Sequence, residues 1–429
     1  MLALAELYPA IHAWLQAFGG IPHATSMASV AQMVTAVLLG QSLRSSMLAR
    51  TLQSATTVTA RHRYRRVRRL MTGGRLLSEP LTPWLVRAAL AVVPDPVPHL
   101  AMDTVRCGWW EVVTVGVVWH GRVLPVGWEV LPYPWPKGQF TPTVLSLLAR
   151  IDAAWPADRR PHLVADRGFP SRKLLRLLER MGWGWTIRLR AKLTVGIEGE
   201  AVALRDLVLA QQPGRWTCRA ATYGTGRQRV AGFLVMGRGD ALPVLRRHQA
   251  NAGSQRQRVR QQAARQREVR DKHPTRQSSL AQQTDGWLIL FTSHDSWLAA
   301  CESYTRRWAT EGSYRDAQSG YGGRQGWDLE AALAREPVEA VAESLVGLWA
   351  LATHLQSTLG HALTQPHPDP AVQRARARWT TTDRLSIWMR GRFALTDCSG
   401  ELHDVILQAF RDATSALDGS AAPPLRNAA

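Results

Sequence analysis

Lysine is nearly missing from this chain: Lys137, Lys173, Lys192 and Lys272 are the only four in 429 residues. Arginine carries the basic charge instead. Its planar fork suits phosphate, although a GC-rich genome produces the same bias. Cysteine is equally scarce. Cys107, Cys218, Cys301 and Cys398 lie far apart with no Cys-x-x-Cys pair, which excludes a disulfide framework and a thiolate zinc site and fits a reducing cytosol. No apolar run reaches the roughly eighteen residues of a membrane span. The opening MLALAELYPA lacks a basic region, so no secretory leader is expected. There is neither a Gly-Lys-Ser/Thr phosphate loop nor a Gly-x-Ser-x-Gly elbow, which leaves nucleotide hydrolysis and serine chemistry without support. The expectation is a soluble cytoplasmic protein with no membrane partner and no nucleotide cofactor.

Acid is in deficit as well. Fifty-three Lys+Arg against thirty-three Asp+Glu leave a net charge of +20, and a polyanion is the default partner for such a surface. With 45% hydrophobic residues over this length, two or three domains with real cores are expected.

Residues 1–92 read as a helical, basic, DNA-binding domain, with ten arginines and two glutamates in the first ninety positions. Helices are predicted over Ser29–Leu39, Ser42–Leu52 and Thr59–Met71. The last places Tyr64, Val67, Leu70 and Met71 on one face and Arg61, Arg63, Arg65, Arg66, Arg68 and Arg69 around the rest, stopping at Gly73-Gly74. Such a helix fits DNA contact; it also fits a solvated amphipathic helix without a partner. From about residue 93 strands take over. HLAMDTV is followed by WEVVTVGVVW and RVLPVGWEVL, joined at His120-Gly121 as a β-hairpin. A helix from Leu145 to Trp155, the strand PHLVAD, the helix SRKLLRLLERM and the strand WTIRLR complete a ribonuclease-H-like order over 93–190. Residues 191–286 form a β-rich and basic insertion: β-like pieces TCRAATY and VAGFLVMG precede an Arg/Gln-rich segment over Arg246–Gln283. The arginines from Arg256 to Arg270 could follow a DNA backbone or simply be solvated. The catalytic part resumes over 287–365 with the strand WLILFTS, a helix from Trp297 to Gln318 and another from Val338 to Leu359. A C-terminal helical region and tail occupy 366–429. The predicted fold class is therefore α/β: a ribonuclease-H-like mixed sheet flanked by helices, interrupted by the insertion, behind an N-terminal all-α domain.

A basic protein that cuts nucleic acid needs hard oxygen ligands for divalent cations. Asp103 ends the apolar run LAM, and Asp166 ends HLVA and opens a helix, in Asp166-Arg167-Gly168-Phe169-Pro170. Carboxyl ends of strands line the crevice of an α/β sheet. An Asp after a strand is also a common turn or helix-cap residue. Tyr304, Arg307 and Glu311 fall at i, i+3 and i+7 of the predicted helix, with Arg315 one turn further. Glu311 there is either a metal ligand among phosphate-binding groups or a partner in a surface i,i+4 pair.

The segment YTRRWATEGSYRDAQ matches Tyr-x2-Arg-x3-Glu-x6-Lys, except that Gln318 stands where Lys belongs. With LAMDTVR and VADRGF upstream, the chain resembles the DDE transposases of bacterial insertion sequences, in the group with the Tyr-Arg-Glu-Lys signature and a β-rich insertion. The resemblance spans about Pro98 to Leu359. It implies that Asp103, Asp166 and Glu311, 63 and 145 positions apart, are the catalytic acids and hold two Mg²⁺, which Mn²⁺ may replace. It implies that Trp287 stacks on a flipped base, where packing in the core is the other reading, and that Tyr304 and Arg307 hold the DNA backbone around that base. Gln318 can bond a phosphate but carries no charge, so Arg315 or Arg324 would compensate. The implied partners are double-stranded DNA, as terminal inverted repeats and as target, and a second copy of the chain in a DNA-bound homodimer. The implied reaction is cut-and-paste transposition. The alternatives are a decayed or repurposed transposase that only binds DNA, which Gln318 favours, and a simple ribonuclease-H-like nuclease.

Overall fold

The computed structural model describes residues 4–52 (without 20 and 22), 58–238 (without 213 and 225–228), 287–318 and 327–418 (without 366–369, 371–372, 374–385 and 397–399). The arginines from Arg256 to Arg270, Arg324 and the C-terminal tail lie outside the described residues. The chain forms two compact units, Met1–Pro161 with Trp308–Ala429, and His162–Arg307. Both mix helices and strands, with ten strands among the described residues. Among the described residues, no single helix is long and apolar enough to cross a membrane.

The first unit begins with five helices: α1 (Leu4–Phe18), α2 (Ala24–Gly40), α3 (Ser45–Thr51), α4 (Ala60–Thr72) and α5 (Ser78–Val92). The Thr59 side chain caps α4 by accepting from the His62 amide, satisfying one of the donors that every helix start leaves open. The buried face of α4 differs from the predicted one. Val67, Leu70 and Met71 are buried, but Tyr64 is 41% exposed and Arg63 takes the inward place. Arg63 tolerates burial because its guanidinium donates to the carbonyls of Ala49 and Val58.

A meander follows: β1 (His99–Cys107), β2 (Trp110–Trp119) and β3 (Arg122–Pro132), antiparallel in the order β3-β2-β1. His120 and Gly121, both left-handed, make the two-residue turn that matches strand twist between β2 and β3. Helices α5 and α6 (Phe140–Ala154) pack on β3. The long α12 (Glu339–Ala362) packs there too and is buried along most of its length, as a helix apolar on all sides must be. It runs so close to α13 (Ile387–Thr396) that a Cβ on Gly360 would overlap the Ile387 carbonyl oxygen. The unit is completed by α10 (Trp308–Ala317) and α11 (Leu329–Leu333) on β1, and by α14 (Gly400–Asp418), which packs on α1.

In the second unit, β4 (His162–Ala165) and β5 (Gly184–Arg188) are parallel and joined by α7 (Arg172–Met181). Ser171 caps the start of α7, and left-handed Gly182 ends it in a Schellman motif. The other strands are β6 (Thr194–Ile197), β7 (Glu200–Ala203), β8 (Thr217–Tyr223), β9 (Val230–Arg238) and β10 (Trp287–Thr292), with α8 (Leu204–Ala210) between β7 and β8. Their order is β4-β5-β10-β9-β8-β6-β7. Helix α9 (Trp297–Thr305) packs on β4, β5 and β9.

One expectation is overturned here. The single helix expected from Trp297 to Gln318 is two, α9 and α10, separated by a turn at Arg306 and Arg307. The amides of Arg306 and Arg307 donate to the carbonyls of Ser303 and Tyr304, closing α9 with tighter i→i+3 bonds. Tyr304, Arg307 and Glu311 therefore do not share the face of one continuous helix.

Candidate functional site

Asp103 lies inside β1 rather than at its end, opposite Thr114 of β2. The apolar run stops at Met102 because the next positions of β1 are half-buried at 103–105 and exposed at Arg106. Helix α10 fixes the acid from above. The Thr310 hydroxyl donates to Asp103 Oδ2 at 3.0 Å, and the Tyr314 hydroxyl lies 3.2 Å from the Asp103 carbonyl oxygen and also bonds the Thr114 hydroxyl. Thr310 and Tyr314 are one helical turn apart, so both reach the same pair of strands. Asp103 Oδ1 accepts from the Thr104 amide at 2.8 Å. Burial holds the Tyr314 phenol well above its usual range, so it remains a protonated donor.

Glu311 follows Thr310 in the first turn of α10, where the helix dipole favours an acid. Trp308, Glu311, Arg315 and Gln318 are the less buried positions of α10 and its exit, at i, i+3, i+7 and i+10. The opposite side is anchored by Ser313, which accepts from the Val123 amide at 2.8 Å, and by buried Asp316, which pairs with Arg122.

The second unit holds Asp166. It begins a turn, its carbonyl accepting from the Phe169 amide at 3.2 Å, and Ser171 rather than Asp166 caps the helix that follows. Its side chain is free for another task. The Tyr304 hydroxyl donates to Asp166 Oδ1 at 3.1 Å, and Arg188 of β5 lies 3.8 Å from the same oxygen. Burial works against the charge. The Arg167 amide, Arg307, Arg188 and the Tyr304 hydroxyl outweigh it and hold the carboxyl below its ordinary range. Tyr304 is 2% exposed, its ring packed with Val235, Leu290, Ala300 and Cys301; burial pushes its phenol up to about 12. Arg307 is 4% exposed and stacks over the Tyr304 ring at 5.6 Å.

Each unit thus brings together part of the expected set: Asp103 with the start of α10 that carries Glu311, and Asp166 with Tyr304 and Arg307. Trp287 begins β10 and is buried, 6% exposed, which is the core-packing alternative for this side chain. On α4, Arg61, Arg65 and Arg69 are exposed, whereas Arg68 pairs with Glu336. Thr310, Tyr314 and Arg188 were not anticipated. The first two flank Glu311 inside the quoted signature, and only a contact with β1 marks them out.

The carboxylates offer hard oxygen donors, and the depressed pKa of Asp166 keeps it anionic, which suits Mg²⁺. Among the described residues, no three His, Cys, Asp or Glu side chains converge closely enough to hold a metal by themselves. Comparison with protein-family models and with curated proteins finds no match for this chain.

Proposed function

We propose that this chain is a DDE-type DNA transposase, with a ribonuclease-H-like catalytic fold, a β-rich insertion over 191–286 and an N-terminal end-recognition domain. The observation that carries the reading is the Tyr304–Asp166 hydrogen bond. It joins the Tyr of the signature segment to the acid of VADRGF, two motifs that the resemblance paired on sequence alone. The Thr310–Asp103 bond adds a parallel case beside Glu311.

In this reading Asp103, Asp166 and Glu311 would supply the carboxylates for two Mg²⁺ or Mn²⁺, which would activate an attacking oxygen and stabilise the leaving one. Thr310 and Tyr304 orient the two aspartates, and Arg188 and Arg307 keep Asp166 ionised. Arg315 and Gln318 line the same side of α10 as Glu311 and would contact DNA phosphates, as would Arg61, Arg65 and Arg69 on α4. Water attacks the phosphodiester at the element end, and the freed 3′-hydroxyl attacks the opposite strand to give a hairpin. Once the hairpin opens, the 3′-hydroxyl attacks target DNA. Each step hydrolyses or exchanges one phosphodiester, so no nucleotide cofactor is needed. Both ends are handled in one complex, for which a DNA-bound homodimer in the cytoplasm is the simplest arrangement.

Purified full-length chain with Mg²⁺ and DNA carrying its own element ends should nick and join DNA, and Asp103→Ala should abolish this while binding persists. Identical behaviour of both proteins in Mg²⁺ and in Mn²⁺ would make the catalytic reading wrong. A second reading, a repurposed DNA-binding protein, is favoured by Gln318 in place of Lys; cleavage by the wild type would exclude it.

A further inference from the structure

Trp109 is the most exposed large hydrophobic side chain among the described residues, at 60%. Its place in the fold explains why it differs from its neighbour: Gly108 and Trp109 form the two-residue turn between paired Cys107 and Trp110. Trp110 opens β2, turns inward and donates its indole N–H to the Glu336 carbonyl at 2.7 Å, whereas Trp109 at the turn is left in solvent. The turn that carries it is held on several sides. Gly108 is left-handed and packs so tightly on Ala334 that a Cβ there would overlap it. The Tyr133 amide donates to the Trp109 carbonyl at 2.7 Å. Beside this turn, the Arg106 guanidinium stacks 3.7 Å over the ring of Tyr133, itself 37% exposed, and Tyr133 meets Trp135 edge-on.

The same Glu336 also receives Arg68 of α4 on its carboxylate, so the Trp109 turn and the arginine helix hang from one residue. Exposed Arg65 and Arg69 flank Arg68 in sequence. An exposed indole on a held turn, a guanidinium stacked on a second ring and solvent-facing arginines on α4 suit a ligand that combines a flat π-system with phosphates. That is a nucleotide whose base is unpaired: paired bases present edges, not faces.

We propose that Trp109, backed by Arg106 and Tyr133, is a stacking site for an unpaired base of DNA whose phosphates run along the exposed arginines of α4. The proposal rests on the DNA-binding part of the function above, but not on its chemistry. It also differs from the Trp287 assignment, since Trp287 is buried in the other unit.

The test is equilibrium binding of the full-length protein, without divalent metal, to a fully paired duplex and to the same duplex with a two-base unpaired bulge. Wild type should prefer the bulged DNA. Trp109→Ala should lose that preference, weakening bulge binding about ten-fold, the size of one base–aromatic stack, and leave duplex binding unchanged. Trp109→Phe should restore most of it. Because Trp109 faces solvent, its truncation should not unfold the chain, and an unchanged melting temperature checks this. Equal affinities of wild type and Trp109→Ala for the bulge would overturn the proposal, as would equal losses on both DNAs. So would loss of self-association in place of loss of base preference, which would make Trp109 a contact between protein copies. Wild type that binds neither DNA would defeat the transposase reading too, whereas duplex binding and cleavage without a Trp109-dependent preference defeats this proposal alone.

Discussion

The Tyr304 hydroxyl reaches 3.1 Å to Asp166 Oδ1 across 138 positions of sequence, from a ring that is 2% exposed. The ring is locked in the core behind it, so the bond fixes the carboxylate at almost no cost in side-chain freedom.

Tyr304→Phe keeps the ring and deletes this donor. Asp166 should then lose one of the groups that depress its pKa, and its titration should move up. Because the folded pKa lies below the unfolded one, the charge of Asp166 contributes stability above the unfolded pKa, and that contribution is lost as pH falls through the folded pKa. The variant should show a smaller acid-dependent loss of melting temperature, and the acid limb of any DNA cleavage should shift to higher pH. An unchanged limb would sever Tyr304 from Asp166 in solution.

Thr310→Val is close to isosteric and removes the donor to Asp103 Oδ2. A hydrogen bond to a charged group is worth about 1.5–3 kcal/mol. Cleavage should fall at least about ten-fold by the corresponding misplacement of Asp103, with circular dichroism unchanged. Thr310→Ser should recover activity.

Glu343 of α12 accepts from the Trp128 indole at 2.8 Å and the Val130 amide at 3.1 Å. Burial, with Glu129 nearby, pushes its carboxyl up to about 7 despite those bonds. The folded pKa is raised above the unfolded one, so the group favours folding at low pH and that benefit is lost as pH rises through about 7. Melting temperature should fall between pH 5 and pH 8, on the order of 5 °C from this group. Glu343→Gln should flatten that fall, at some cost at every pH, because its amide cannot accept from both donors. A variant with the full wild-type slope would assign the pH dependence elsewhere.

Gly360→Ala places a methyl group against the Ile387 carbonyl oxygen where α12 meets α13. Both partners are backbone and neither can swing aside. Overpacking of this kind costs about 1–3 kcal/mol, so a clear drop in melting temperature is expected. Thermal unfolding at neutral pH reads it directly.

The legible parts of the sequence were those governed by local rules. Thr59 and Gly73 bounded α4, and His120-Gly121 marked the hairpin, because capping and left-handed turns depend on a few adjacent residues. The break at Arg306 and Arg307 could not be read. Neither Gly nor Pro sits there, and the turn goes with an electrostatic contact between Arg307 and Asp166 that no local periodicity encodes. Asp103 was misread for a related reason: polar Thr104 and Arg106 look like the end of a strand until their pairing with β2 is known. Arg63 and Tyr64 exchanged places because two carbonyls outside the helix, of Ala49 and Val58, offered the guanidinium a buried home. For the acids, residue type was legible and the orienting partners Thr310, Tyr314 and Arg188 were not, since orientation is a property of contacts.

Glu336 gives its carboxylate to Arg68 and Ser45 and its carbonyl to Trp110, so a single residue ties α3 and α4 to the β1–β2 turn. A surface tethered in this way is already ordered before any ligand arrives. Association then forfeits little internal freedom, so the free energy of each contact passes almost undiminished into affinity. Severing the tether with Glu336→Ala should lower affinity through a larger entropic penalty while the side chains that touch the ligand remain the same.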